Sequence, residues 1–154
     1  MLKALTLRKL LMWAPLVLVA LFLLAQAVPY GRNHHKPAGS NEPAWDSART
    51  RELAGRACFD CHSNITTWPW YSNVAPFSWL IQKDVDGGRN TLNFSDWPRY
   101  NGQAQEALDA LLGSSMPPWY YTIIHPKAKL SKAEKAELAR GFERTFGVKP
   151  GAGG

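Results

Sequence analysis

Two cysteines and a histidine in residues 58–62 constrain this chain more than any other feature. The run reads Cys58-Phe59-Asp60-Cys61-His62, and it holds the only two cysteines of the 154 residues. A Cys-x-x-Cys-His run is the attachment signature of a c-type haem. Two thiols at this spacing can each add to a vinyl group of one porphyrin, and the histidine that follows can bind the iron. The run predicts one covalent haem c, attached to Cys58 and Cys61, with His62 as the proximal iron ligand.

Other uses of this cysteine pair are less consistent with the rest of the chain. A disulfide between Cys58 and Cys61 would close a very small loop and constrain little of the unfolded chain. A thioredoxin-like redox pair would need a βαβ context, but the flanking patterns are helical or irregular. A structural zinc site needs four ligands, and the other histidines, His34, His35 and His125, form no second close pair with a cysteine.

The N-terminus predicts export from the cytoplasm. Lys3, Arg8 and Lys9 precede an uncharged, mainly apolar run over residues 10–28. A run of this length favours an uncleaved membrane anchor over a signal peptide, whose apolar core is usually about 7–15 residues. A small-x-small sequence ending at Ala27 leaves cleavage after that residue as the alternative. In both cases the positive-inside rule places the rest of the chain outside the cytoplasmic membrane, in the periplasm for a single-pass protein.

Composition divides the chain into four parts. Residues 1–30 are expected to be the signal anchor, and residues 31–44, with their prolines and polar neighbours, a linker. Residues 45–148 are long enough for one domain with a modest core and are expected to bind the haem. The glycine-rich residues 149–154 are expected to be a disordered tail.

The charge of the chain does not indicate a nucleic-acid partner. The formal net charge is +6, but three of the basic residues precede the apolar run, so the exported part has only a mild surplus. Four lysines fall close together, at positions 127, 129, 132 and 135. They are consistent with a docking patch for an acidic partner or, as the simpler interpretation, with a solvated helix face.

The remaining patterns predict an all-α fold. Asp46 or Ser47 can cap a first helix, a glycine pair at 87 and 88 is expected to end a second, and Ser131-x-x-Glu134 is a capping box. No hairpin signal is present. The segments with apolar residues at helical spacing are residues 46–57, 77–85, 103–112 and a helix that starts at Ser131. The predicted architecture is a small cytochrome c-like helical domain around one covalent haem, after an N-terminal transmembrane helix.

The second axial position of the iron has more than one candidate. Met116 is the only methionine outside the N-terminal segment, and it lies in an irregular stretch that Pro117 and Pro118 stiffen. A methionine there would raise the reduction potential and suit electron transfer. His125 would give bis-histidine ligation and a lower potential, and an open position would suit ligand binding or peroxide chemistry.

Several motifs together resemble a known family, the bacterial haem-binding domain proteins. The resemblance covers about residues 28–147 and includes Trp68-Pro69-Trp70-Tyr71-Ser72, Leu92-Asn93-Phe94-Ser95 and Met116-Pro117-Pro118-Trp119-Tyr120, beside the run that begins at Cys58. These proteins are similar to small cytochromes c: they are exported, often membrane-anchored, and carry one covalent haem. The resemblance implies haem attachment at Cys58 and Cys61 and proximal ligation by His62, and it places the family's Met-Pro motif on Met116, which implies that Met116 is the distal ligand.

Together these features predict a membrane-anchored monohaem cytochrome c that carries single electrons to or from a redox partner protein, and not an enzyme. The alternatives are a haem-based sensor, which needs a vacant or displaceable sixth position, and a small peroxidase. A peroxidase needs polar groups on the distal side of the haem, for which His125 and Arg89 are the conceivable candidates.

Overall fold

The computed structural model describes residues 2–151, with the side chains of residue 9 and of residues 11–151. Its internal contacts divide the chain into two compact units. The first holds the residues up to 34 together with 69–83, and the second holds residues 35–68 with those from 84 onward. Residues 152–154 of the predicted tail lie outside the described residues.

Helices are the only regular secondary structure in residues 2–151, which confirms the predicted all-α class. Short 3₁₀ turns cover Trp70–Asn73, Asn101–Gln103 and Pro126–Ala128. In chain order the α-helices are α1 (Leu2–Gln26), α2 (Ala48–Ala57), α3 (Phe59–His62), α4 (Phe77–Thr91), α5 (Trp97–Tyr100), α6 (Ala104–Leu112), α7 (Trp119–Ile124) and α8 (Lys132–Phe146).

The first unit is organised around the end of α1. The side-chain amide of Gln26 donates to the carbonyl oxygen of Ala75 at 3.0 Å and accepts from the Ala75 backbone N–H at 3.1 Å. Arg32 donates to the same amide oxygen at 3.0 Å. Gln26 interrupts the apolar run of the sequence, and its role here is to satisfy the backbone of an irregular segment.

Of the helices in the described part of the chain, none is both long enough and apolar enough to span a bilayer. The membrane anchor expected over residues 10–28 stays a prediction, and the side chain of Leu10 lies outside the described residues.

Both predicted helix caps of the second unit are confirmed. The Ser47 side chain accepts a hydrogen bond from the Thr50 backbone N–H and begins α2. Ser131 and Glu134 form the reciprocal capping box that begins α8. Each cap satisfies backbone donors that the first turn of a helix cannot pair internally, which explains why these helices begin at these residues.

The core of the second unit lies where α2, α6 and α8 pack together. Leu53, Leu108 and Leu138, one from each helix, are fully buried. A Cβ atom at Gly141 of α8 would collide with the side chain of Thr50, so glycine at this position permits the close approach of α2 and α8. Beside these leucines lies a set of rings with centroids 4.4–6.4 Å apart, here called the aromatic cluster: Trp45, Phe59, Phe94, Trp97, Phe142 and Phe146.

The prediction that Gly87 and Gly88 end the second helix is wrong. Helix α4 continues through both glycines and ends at Thr91. Glycine is unfavourable inside a helix by about 1 kcal/mol relative to alanine. A tertiary contact made by Gly88, described below, accounts for its presence inside this helix.

Candidate functional site

The turn between α2 and α3 presents residues 58–62, the predicted haem-attachment site, called the attachment run below. Cys58 caps the C-terminus of α2, with its N–H bonded to the Ala54 carbonyl at 2.8 Å, and its own carbonyl accepts from His62 N–H at 2.9 Å. Phe59 is buried in the aromatic cluster and anchors the short helix α3. The packing of one side chain of the run therefore orients the other residues.

Both cysteines are present as free thiols. Burial, with a smaller contribution from the neighbouring Cys61, raises the pKa of Cys58 to about 12. Burial also raises the pKa of Cys61 to about 12, with the nearby carboxylates of Asp84 and Asp60 adding to it. Both thiols are thus neutral at pH 7 in this fold. Cys58 lines the cleft described below, whereas Cys61 is not among its lining residues.

The imidazole of His62 is held by two backbone carbonyls. Its Nδ1 lies 3.0 Å from the carbonyl oxygen of Gly88 and 3.0 Å from that of Leu92. Because carbonyl oxygens only accept hydrogen bonds, Nδ1 must carry the proton, which leaves the lone pair on Nε2. Burial lowers the pKa of His62, against the opposing effect of the two carbonyls, so the ring is neutral at pH 7. A neutral histidine whose Nδ1–H is bonded to the backbone is the usual form of a metal-ligating histidine.

Gly88 allows the carbonyl that holds His62 to come close. A Cβ atom at this position would lie 2.5 Å from the carbonyl oxygen of Cys61 and 3.0 Å from the Cys61 Cβ. No side chain fits there without movement of the backbone that carries the second cysteine. Gly87, one residue earlier, has open space around the corresponding position. The close approach of α3 therefore requires glycine at position 88 but not at position 87.

A mainly apolar cleft adjoins His62. It encloses about 610 Å³ when the space of its open mouth is counted. Gln103 and Glu106 supply polar groups at its wall. Its other lining residues include Cys58, His62, Leu92, Phe94, Ala107, Ala110, Leu111, Met116, Pro117 and Phe142.

Met116 is the candidate distal ligand that the fold brings to this cleft. It follows α6 in the loop that precedes α7, and its backbone N–H donates to the Ala110 carbonyl at 3.3 Å. Its side chain is 40% exposed and lines the same cleft as His62. His125 lies after α7, stacked on Tyr121 with ring centroids 4.3 Å apart, and is not among the residues that line the cleft. Ligation by either residue stays a prediction.

Arg89, which the sequence offers as a group on the distal side of the haem, forms hydrogen bonds within the fold instead. Its guanidinium donates to the carbonyl oxygens of Ser63 and His35 and to Thr66 Oγ1, at 2.8–2.9 Å. These bonds fix the segment that follows the attachment run. The side chain is buried, and Arg89 is not among the residues that line the cleft.

A contact that the sequence reasoning missed joins the two halves of the candidate site. The Tyr121 hydroxyl donates a short hydrogen bond, 2.5 Å, to the Asp60 carboxylate, whose other oxygen accepts from Thr67 N–H at 2.8 Å. Asp60 lies between the two cysteines, and Tyr121 lies in the helix that follows Met116. An acidic residue inside the attachment run was the only signal of this contact in the sequence.

Comparison with known proteins identifies the family. The family model described as the haem-binding domain matches residues 20–144. The chain belongs to the haem-binding domain family. The resemblance inferred from the sequence motifs is thereby confirmed. Neither the curated proteins nor the solved structures include a match to this chain.

The residues of this haem-binding domain fit the cofactor that the family implies. An apolar cleft provides the low-polarity surroundings that a porphyrin ring prefers, and one neutral histidine at its wall has its Nδ1 occupied by backbone carbonyls. Membership of the family accordingly supports haem as the cofactor. His62 would hold the iron, and Cys58 has its thiol at the same wall.

Proposed function

We propose that this chain is a monohaem c-type cytochrome that carries single electrons outside the cytoplasmic membrane. The observation that carries the proposal is the geometry of His62, the last residue of the Cys-x-x-Cys-His run. Its Nδ1 is bonded to the backbone carbonyls of Gly88 and Leu92. Thioether bonds to Cys58 and Cys61 would attach the porphyrin covalently, one haem per chain. When bound, the haem iron supplies a one-electron couple.

In this proposal the protein residues set the properties of the iron and perform no chemistry of their own. His62 is the proximal ligand and is oriented by the carbonyls of Gly88 and Leu92. Met116 is the distal ligand, and its thioether would raise the reduction potential. The protein is therefore proposed to be an electron carrier rather than an enzyme, with a redox protein as its partner and no nucleic acid.

The cellular location belongs to the same proposal. Thiols of a Cys-x-x-Cys-His run receive haem outside the cytoplasm, and the basic residues before the apolar run of residues 10–28 favour an exported C-terminal part. We place the second unit in the periplasm of a bacterium, tethered by that N-terminal run as a single membrane pass.

A second candidate function is a haem-based sensor. It is favoured by the exposure of Met116, 40%, and by its position in a loop, because such a ligand can be displaced by a diatomic gas. A peroxidase is less well supported, because the three donor groups of Arg89 are bonded to Ser63, His35 and Thr66.

Spectroscopy of the haem-loaded chain tests the ligand assignment. We expect the Met116→Ala chain to lose the far-red charge-transfer band of a methionine–iron bond, to become high spin when oxidised and to bind carbon monoxide readily. Its potential should fall, because axial ligand identity is a main determinant of haem potential. His125→Ala is the matched control and should change none of these. A wild-type chain that binds carbon monoxide freely, with no change on Met116→Ala, would favour the sensor over the electron carrier.

A further inference from the structure

Helix α7 carries large apolar side chains that face solvent. Trp119 is 73% exposed, Ile123 68% and Ile124 59%, and no residue of this helix is buried. Trp119 and Ile123 are four residues apart and so are neighbours on the helix surface. Clustered apolar side chains that stay exposed in a folded domain mark an interaction site.

Positive charge borders these apolar side chains. Lys127 and Lys129 follow α7 directly, in and after the 3₁₀ turn Pro126–Ala128, and both are exposed. Glu134, the nearest acidic residue along the chain, does not offset them, because it pairs with Arg56 at 2.6 Å. Two carboxylates that contact α7, Asp84 and Asp60, accept hydrogen bonds from the hydroxyls of Tyr120 and Tyr121. Trp119, Ile123, Ile124, Lys127 and Lys129 are together called the α7 face below.

The α7 face adjoins the haem cleft. A groove is lined by Met116, Pro117, Trp119 and Lys129, among other residues. Met116 and Pro117 also line the cleft that contains His62. A molecule bound to the α7 face would therefore contact the residues that form one edge of the cleft.

We propose that the α7 face is the docking surface for a redox protein that presents carboxylates around an apolar centre. This inference rests on the proposed function, because a partner that exchanges electrons has to approach the cleft. Charge complementarity identifies the partner chemistry: exposed lysines steer an acidic surface, and apolar side chains at the centre of an interface provide the short-range attraction. A second copy of the chain would bring lysines against lysines. An anionic membrane also matches the lysines, but it offers no reason for the face to share residues with the cleft.

Stopped-flow reduction of the haem tests the charge part of the proposal. The haem-loaded full chain in detergent is mixed with reduced flavodoxin, an acidic protein used as the probe. At low ionic strength we expect Lys127→Glu with Lys129→Glu to lower the bimolecular rate constant about ten-fold, and the effect to shrink as salt screens the charges. Lys36→Glu with Lys149→Glu is the matched control, since both residues are exposed and neither lines the groove.

A second pair of variants tests the apolar part. Ile123→Ser should lower the rate with reduced flavodoxin about five-fold, the effect of losing about 1 kcal/mol of contact at the interface. The same variant should leave reduction by dithionite unchanged, because a small ion makes no contact with the apolar side chain. Ile65→Ser is the control, as Ile65 is 51% exposed in the same unit.

Other outcomes would overturn the proposal. Equal rates in the α7-face variants and their controls, with rapid reduction of the wild type, would reject the docking surface and leave the electron carrier intact. A haem that accepts no electron from either donor would reject both. Protection of residues 119–129 from hydrogen exchange on transfer from phosphatidylcholine to phosphatidylglycerol nanodiscs would identify lipid as the occupant. A dimer that Ile123→Ser dissociates would identify a second copy.

Discussion

Replacement of Gly88 by alanine should destabilise the domain, although alanine is the better helix former. The new Cβ would lie 2.5 Å from the Cys61 carbonyl oxygen, whereas ordinary contacts begin near 3.4 Å, so α3 or α4 must move by about 0.9 Å. Overpacking of this kind costs about 1–3 kcal/mol. The shift also weakens one carbonyl contact to His62, worth about 1 kcal/mol, and the gain in helix propensity of about 1 kcal/mol offsets that loss. We expect a net loss of about 1–3 kcal/mol in the free energy of unfolding.

Gly87→Ala provides the matched control for this prediction. It makes the same chemical change one residue away in the same helix, and nothing beyond its own stretch of helix lies within 4 Å of its new Cβ. It should therefore stabilise the domain by about 0.5–1 kcal/mol. Urea denaturation of the haem-loaded chain, followed by circular dichroism, measures both variants. If Gly88→Ala proves as stable as Gly87→Ala, the close approach of Gly88 to Cys61 does not exist in solution and the argument is wrong.

Three further predictions concern the two cysteines, the contact between Tyr121 and Asp60, and the capping box of α8. Replacing Cys58 and Cys61 together by alanine should allow acid-acetone to extract the haem, and full retention would rule out thioether attachment. Tyr121→Phe removes the hydrogen bond to Asp60 and should loosen the loop before α7, seen as faster carbon monoxide binding with an unchanged fold. The pKa of Glu134 is held at about 2, below its ordinary 4.5, first by the Ser131 backbone N–H. The stability that the Glu134 carboxylate contributes is therefore complete above pH 4.5 and is lost as the pH falls toward 2. In the Glu134→Gln chain, the melting temperature measured at a series of pH values should fall less steeply between pH 4.5 and 2.

The local signals of this sequence predicted structure well where the cause was also local. Ser47 and Ser131 begin helices because their hydroxyls accept from backbone donors three residues ahead, a relation that needs no knowledge of the fold. The attachment run is likewise a local pattern, and its spacing led to the haem-binding domain family that the comparison supports.

The sequence was misleading where a distant contact decides the structure. The glycine pair predicted a helix end, since glycine is common after helices, but Gly88 is needed inside α4 because of Cys61, far away in the chain. Arg89 suggested a distal catalytic group, yet its role depends on the carbonyls of Ser63 and His35, which no sequence pattern reveals. Helix α7 showed no periodic pattern because none of its faces is buried.

The aromatic cluster has a consequence for the order of events during biosynthesis. Phe142 of α8 forms part of the cleft wall and contacts Phe94 and Trp45 across the core. In the export proposed above, the chain would leave the cytoplasm N-terminus first, so the two cysteines would emerge before the helix that completes the wall around them. The thiols would then pass through a stage in which they are accessible for the proposed haem attachment, and that stage would end when α8 packs. A longer or shorter interval between emergence of the cysteines and packing of α8, for example through slower release of the C-terminal helix, would change the fraction of chains that receive haem.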